Sequence, residues 1–269
     1  MRKNKLRELL NAGKPSFGTR VHSSWPSIAE VIGHTGLFDY VEFIAENAPF
    51  DLYALDNFCR AVELFDMSAM IKVDAEHYGF MAQRGIGAGF QSVNFADCRS
   101  AADVRERVKV TRPDTPEHGG RFGAGMRRFA YMGHDASPQY VQALQDVVIV
   151  IMIEKQSAVE QLDEILSVKG IDMIQWGPSD YSMNIGMAGA KTSPEIKAVE
   201  RKVFETANKY GIPARAEIAS VDQAKYYLDM GVQHFNLGLD ISILFNWLKE
   251  NGNALRKVVS DTQCPNENR

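Results

Sequence analysis

The sequence predicts an α/β protein folded as one closed (β/α)8 TIM barrel. Three observations predict it. Eight apolar runs of strand length alternate with stretches of helical periodicity. No two runs are joined by a short hairpin signal, so the strands should lie parallel. A chain of 269 residues suits eight such units in a single domain. The competing arrangement is an open doubly wound sheet. Against it, no glycine fingerprint follows the first strand, and Gly85-Ile86-Gly87 sits between strands three and four without a helix after it. The domain should cover residues 17–260, with a helical extension at 1–16 and a polar tail at 261–269.

Lys3 to Ala12 reads as a short helix, ended by Gly13 and Pro15. Phe17 to His22 is the first strand. Ser24-Trp25-Pro26-Ser27 opens a helix over Ile28 to Thr35, with Ser27 as N-cap and Glu30 completing a capping box. Tyr40 to Ile44 is strand two. Leu52 to Phe65 carries apolar residues at helical spacing, and Ala69 to Val73 is strand three. A helix over Tyr78 to Gly87, a strand over Phe90 to Phe95 and a helix over Ala101 to Val110 follow. Arg112 to Ala143 is irregular and rich in Gly and Pro, a length that points to function or an interface. Val147 to Ile153 is strand five, Ser157 to Lys169 its helix, Ile171 to Trp176 strand six and Glu195 to Tyr210 a long helix. Pro213 to Ala219, Val221 to Met230, His234 to Leu239 and Ile243 to Val259 complete the alternation. The tail Cys264 to Arg269 is polar.

With 45% apolar and 24% charged residues, the composition is that of an ordinary globular chain. A net charge of −4 gives no reason to expect nucleic acid. Basic residues are scattered apart from the N-terminal Arg2-Lys3-Lys5-Arg7 and the pair Arg127-Arg128. No apolar run approaches the roughly 20 residues of a membrane span. Cys59, Cys98 and Cys264 show neither zinc spacing nor a disulfide framework, which makes a cytoplasmic location the expectation.

In such a barrel the active site belongs at the C-terminal ends of the strands. The polar residues there are Glu46 and Asn47 after strand two, and Lys72 and Asp74 at strand three. Glu154 follows strand five, Asp180 and Ser182 follow strand six, and Asp240 follows strand eight. Strands five and six, joined by a crossover helix, deliver Glu154 and Asp180 to the same edge. A carboxylate ending an apolar strand is costly unless paired. Lys155 should point to the opposite face. The pair therefore suits a hard divalent cation, Mg²⁺ or Mn²⁺. Gly177, Pro178 and Ser179 open a helix near Asp180 or Tyr181 whose free N–H groups favour a carboxylate or phosphate. Arg121 and Arg127 would steer an anionic substrate. His22, His77, His118 and His134 are the histidines that could reach the rim, and Phe129-Ala130-Tyr131 suits interface packing.

Ile151-Met152-Ile153-Glu154 and Trp176-Gly177-Pro178-Ser179-Asp180-Tyr181-Ser182-Met183-Asn184-Ile185-Gly186 resemble the two signature segments of the HpcH/HpaI aldolase family, the metal-dependent class II pyruvate aldolases. Phe38-Asp39-Tyr40-Val41, Glu46-Asn47-Ala48-Pro49 and Arg112-Pro113 with Gly120-Arg121-Phe122-Gly123 add to the likeness, which runs from about Phe17 to Val259. The resemblance implies metal ligation by Glu154 and Asp180. It also implies binding of a 2-oxo acid beside Met152, Gly177, Pro178, Ser179 and Arg121, and reversible cleavage of a 4-hydroxy-2-oxo acid through a metal-bound pyruvate enolate. It implies a homo-oligomer, a trimer or hexamer, with the last helix exchanged between neighbours. The chain departs from the family at Asn47, where a histidine is usual, at Ile44, where its supporting aspartate is usual, and at Lys72, which replaces an arginine. Asn47 cannot titrate near neutral pH. Lys72 keeps a charge without the bidentate fork. Lys72, Asn47 and Glu46 are the expected catalytic residues. Rival readings are a Schiff base on Lys72 or Lys155, decarboxylation of an oxaloacetate-type acid, and a catalytically altered barrel that only binds 2-oxo acids.

Overall fold

The computed structural model of the chain describes residues 2–124 and 133–263. Arg127-Arg128, Phe129-Ala130-Tyr131 and the tail from Cys264 lie outside the described residues. Eight parallel strands close into a barrel in chain order. They are β1 Ser16–Val21, β2 Tyr40–Ile44, β3 Ser68–Val73, β4 Ser92–Phe95, β5 Val148–Ile153, β6 Met173–Trp176, β7 Ala214–Ile218 and β8 His234–Leu239, and β8 pairs back onto β1. The sequence order of strands and helices stands as expected.

Period-two alternation explains the layering. Val41, Phe43, Ile71, Val73, Val93, Phe95, Ile149, Ile151 and Ile153 face outward into the main core, against the apolar faces of the surrounding helices. Tyr40, Met70, Val148, Val150 and Met173 face inward and pack with Leu6. Leu6 belongs to α1 (Lys5–Asn11), which closes the N-terminal mouth. There the Asn4 amide donates to the carbonyls of Gln91 at 2.7 Å and Asp146 at 2.9 Å, beside the starts of β4 and β5.

The helices follow the expected pattern with four corrections. α2 (Pro26–His34) is capped at Trp25 with Pro26 in the first turn, so Ser27 lies inside the helix and no capping box forms. After α3 (Leu52–Val62), α4 (Tyr78–Ala88) and α5 (Ala101–Thr111), the stretch expected to be irregular ends in a regular helix, α6 (Pro138–Gln145). Its N-cap is Ser137, whose hydroxyl accepts from the Tyr140 N–H. The start of the preceding segment is pinned as well. The Arg112 guanidinium donates to the carbonyls of Val147 at 2.7 Å and Gln145 at 2.9 Å and pairs with Asp172 at 3.2 Å. The single helix expected after strand five is two short ones, α7 (Gln156–Glu160) and α8 (Leu162–Leu166), separated by Gln161 at φ −102°, ψ 24°. Then come α9 (Pro178–Asn184), α10 (Pro194–Lys209) and α11 (Ala224–Leu228), the last preceded by a 3₁₀ turn at Val221–Gln223. The final helix, α12 (Asp240–Gln263), starts earlier and runs longer than expected and leaves Phe245, Trp247, Leu248 and Leu255 exposed. No helix among the described residues is long and apolar enough to cross a membrane.

The middle of the barrel is polar, where such barrels are usually filled by branched apolar side chains. Arg215 of β7 and Glu42 of β2 are both fully buried, and their Nη2 and Oε1 atoms lie 2.9 Å apart. Glu42 also accepts from Asn94 at 2.8 Å and from Asn236, and Arg215 also donates to Gln175 Oε1. Burial alone would raise the Glu42 carboxyl, but the Arg215 cation outweighs it and holds the group below its ordinary value. Burial pushes the Tyr40 hydroxyl beside this pair up to about 12.

His234, at the start of β8, is buried with Nδ1 2.9 Å from Ser16 Oγ. Burial, and after it the Arg215 cation, lower its pKa from 6.5 to about 4. Between those values the unfolded chain binds a proton that the folded chain does not. The contribution is therefore complete above pH 6.5 and is lost as pH falls toward 4, on the order of 3 kcal/mol in all. Denaturant titrations of wild type and His234→Gln across this range should show the wild type losing more stability on acidification. Parallel curves would refute the assignment.

Candidate active site

The C-terminal mouth gathers most of the expected residues. Lys72 is the last inward-facing residue of β3. Its Nζ lies 2.5 Å from Glu46 Oε2. The Glu46 N–H donates to the Lys72 carbonyl at 3.1 Å, so the backbone also joins the two. Burial would lower the Lys72 ammonium, but Glu46 and then Glu154 reverse this and raise it above its ordinary value. Lys72 is accordingly a held cation. The Asn47 amide reaches Glu46 Oε2 at 3.5 Å, and His22 Nε2 lies 3.2 Å from the Asn47 carbonyl. His22 thus joins this side of the rim. His118 bonds Thr115 instead, His77 occupies the N-cap position of α4 without a side-chain capping bond, and His134 lines a separate cavity with Arg2 and Lys3.

Glu154 is one residue past β5 and only 2% exposed. Its Oε1 accepts the Asp97 N–H at 2.7 Å, and its Oε2 is buried with no hydrogen-bond partner among the described residues. Burial raises the carboxyl to about 7, against the pull of the Lys72 cation and the Asp97 N–H. Gly177 makes room for it. A Cβ at that position would stand 2.4 Å from Glu154 Oε2 and 3.1 Å from Met152 Cε, so only glycine fits. Asp97 has φ 55°, a left-handed conformation that aspartate tolerates better than most residues, and this turn directs its N–H at Glu154.

Asp180 lies in the first turn of α9, whose N-cap is Gly177, and is half exposed. Lys155 does not point away, as alternation implied. Its Nζ lies 3.0 Å from Asp97 Oδ1 and 3.9 Å from Asp180 Oδ1. The β5–β6 ladder stops at Ile153, and beyond it a four-carbon side chain is free to fold over the rim. Asp180 therefore has a basic neighbour. The fit for a cation rests on Glu154 Oε2, a buried acceptor that faces Gly177 and lacks a donor among the described residues. Among the described residues no group of three or more His, Cys, Asp or Glu could hold a metal. Asp180 is near enough for its charge to act on the Glu154 carboxyl, and two carboxylates would suit a hard cation that keeps water and substrate oxygens in its remaining positions. The chemistry of these two carboxylates is compatible with a divalent cation.

A cavity of 370 Å³ opens here, lined by Lys72, Met152, Gly177, Pro178, Ser179 and Asp180. Arg121 does not line it. Its guanidinium pairs with Glu106 at 2.8 Å and its carbonyl accepts from Gln83, which places it on the outer helices around α5. Three rim residues escaped the sequence reading. Arg20 and Glu217 line the same cavity, and Asp97 supports Glu154. The signal for Glu217 was present, because Ala214-Arg215-Ala216-Glu217-Ile218 alternates and places both charges inward.

The HpcH/HpaI aldolase/citrate lyase family model matches residues 17–246. The 4-hydroxy-2-oxo-heptane-1,7-dioate aldolase of Escherichia coli is 26% identical over 242 residues, 90% of each chain. A HpcH/HpaI aldolase/citrate lyase family protein from Burkholderia cenocepacia superposes with a TM-score of 0.84 at 23% identity, over 94% of this chain and all of that one. Protein CitE from Mycobacterium tuberculosis, in complex with magnesium and pyruvate, superposes with a TM-score of 0.54 at 12% identity, over 83% of this chain and 85% of that one.

Proposed function

This chain belongs to the HpcH/HpaI aldolase/citrate lyase family and is a carbon–carbon lyase; we propose that it cleaves a 4-hydroxy-2-oxo acid to pyruvate and an aldehyde, reversibly, at the C-terminal mouth of the barrel. The observation that carries the reading is the donorless, buried Oε2 of Glu154 held open by Gly177. With Asp180 it would hold Mg²⁺ or Mn²⁺. When bound, the cation supplies Lewis-acid polarisation of the 2-oxo group.

The chain's own groups account for the other requirements. Ser179 and Asp180, in the first turn of α9, present N–H groups with no intrahelical acceptor to the substrate carboxylate, beside Pro178 and Met152. Lys72, kept cationic by Glu46, stabilises the oxygen on which negative charge develops. As the C3–C4 bond breaks, its electron pair passes to the pyruvate enolate, and the C4 hydroxyl proton leaves with the help of a water oriented by Glu46 and Asn47. C3 then takes up a proton to give pyruvate. Of that pair only the Glu46 carboxylate can accept a proton, because an amide cannot serve as base. Decarboxylation of an oxaloacetate-type acid is the second reading, favoured by Asn47, since that reaction needs no base there. A Schiff base is disfavoured at Lys72, where a raised pKa opposes the neutral amine that such chemistry requires. The exposed apolar side of α12 suits burial against a second copy of the chain in a homo-oligomer.

Pyruvate release from 4-hydroxy-2-oxo acids should require Mg²⁺ or Mn²⁺, stop with EDTA and return on metal addition. Borohydride with pyruvate should add no mass. Full turnover in EDTA, or a trapped covalent adduct, would overturn the proposal.

A further inference from the structure

The cavity lined by Lys72, Gly177 and Asp180 is also lined by a charged pair from β1 and β7. Arg20 Nη1 of β1 lies 2.5 Å from Glu217 Oε2 of β7, and both side chains are about a quarter exposed, at 21% and 26%. The pair is built into the barrel. Arg20 Nε donates to the Gly238 carbonyl at 3.2 Å, next to the place where the β1–β8 register shifts between Gly18 and Arg20. Glu217 Oε1 accepts from Gln175 Nε2 at 2.5 Å, and Gln175 in turn accepts from the buried Arg215. Each Glu217 oxygen thus takes one side-chain donor and keeps accepting capacity. Arg20 Nη2 has no acceptor among the described residues.

We infer that the Arg20–Glu217 pair is the contact for the aldehyde half of the substrate and that it selects an aldehyde bearing a hydroxyl group. The inference rests on the aldolase reading above and names its substrate class. A hydroxyl donates to Glu217 and accepts from Arg20 at once, so it replaces the water that both charged groups lose. A methyl group in the same place desolvates both and returns nothing, which is the situation in which polar sites discriminate strongly. The anchoring through Gln175 and Arg215 holds the pair in place before the aldehyde arrives.

The test is aldol addition of pyruvate to glycolaldehyde and to propanal, which differ by a hydroxyl against a methyl group. Wild type should favour glycolaldehyde in kcat/KM. In Arg20→Leu/Glu217→Leu, which leaves neither charge alone, that preference should fall roughly tenfold to a hundredfold, mainly through the aldehyde KM. Arg20→Lys should retain part of it. If the double variant is unstable, Glu217→Gln, nearly isosteric, should still lower the ratio. A merely structural pair would depress both aldehydes equally. Unchanged ratios in the variants would overturn the inference while leaving the aldol chemistry standing. No carbon–carbon bond made or broken with any acceptor would overturn the aldolase reading and this inference with it.

Discussion

Glu154→Gln is expected to lower pyruvate release at least about a thousandfold, roughly 4 kcal/mol of lost transition-state stabilisation. The amide keeps the side chain's shape, and its oxygen can still accept the Asp97 N–H that Oε1 takes now. What is lost is the negative charge at the buried Oε2 position. The same substitution should stabilise the metal-free protein above pH 7. Burial raises the Glu154 carboxyl from 4.5 to about 7, so the folded state binds a proton more tightly than the unfolded one. The stability this lends is complete below pH 4.5 and is lost as pH rises through 7, on the order of 3 kcal/mol. Glutamine removes that penalty. Activity and stability should therefore move in opposite directions, a pattern characteristic of residues kept for function. Steady-state kinetics with calorimetric Mn²⁺ binding would measure the first effect, and chemical denaturation at pH 8 in EDTA the second. Retained metal affinity in the variant would remove Glu154 from the ligand set.

Arg215→Met should cost about 3–5 kcal/mol of stability. Arg215 and Glu42 are both fully buried, and removing the cation strands a carboxylate at the centre of the barrel. Asn94 and Asn236 would still donate to Glu42 but cannot neutralise it. For a chain of this size that corresponds to a melting temperature lower by roughly 10 °C. Glu42→Gln/Arg215→Met should recover most of the loss, because a buried pair replaced as a unit leaves no charge behind. Thermal unfolding of the single and double variants measures the coupling. A single-variant loss below about 1 kcal/mol would mean that water reaches Glu42.

The fold was legible because its signals are local. Alternation marks a strand, a 3.6-residue period marks a helix, and eight repeats in this length admit few other closures. The misread elements are those where a local rule had a competitor. Pro26 outbids Ser27 for the start of α2 because its fixed φ suits the first turn. α6 was hidden behind a glycine- and proline-rich run, although Ser137-Pro138 is a helix-start signal. The rim positions of Glu154, Asp180, Gly177 and Lys72 were legible because strand ends converge there. The position of Arg121 was not, because a charge in an irregular segment carries no information about which way the segment folds.

The sequence by itself determined the barrel, the rim, and the delivery of Glu154 and Asp180 to neighbouring strands. Only the tertiary structure decided which charges meet. Arg215 finds Glu42 across 173 residues of chain, and Arg20 finds Glu217 across 197. Lys155 folds back to Asp97 and Asp180 against its strand parity. Periodicity reports the face from which a side chain leaves the backbone. An ion pair forms where two side chains end, and that depends on barrel closure, side-chain length and the cost of leaving a buried charge alone.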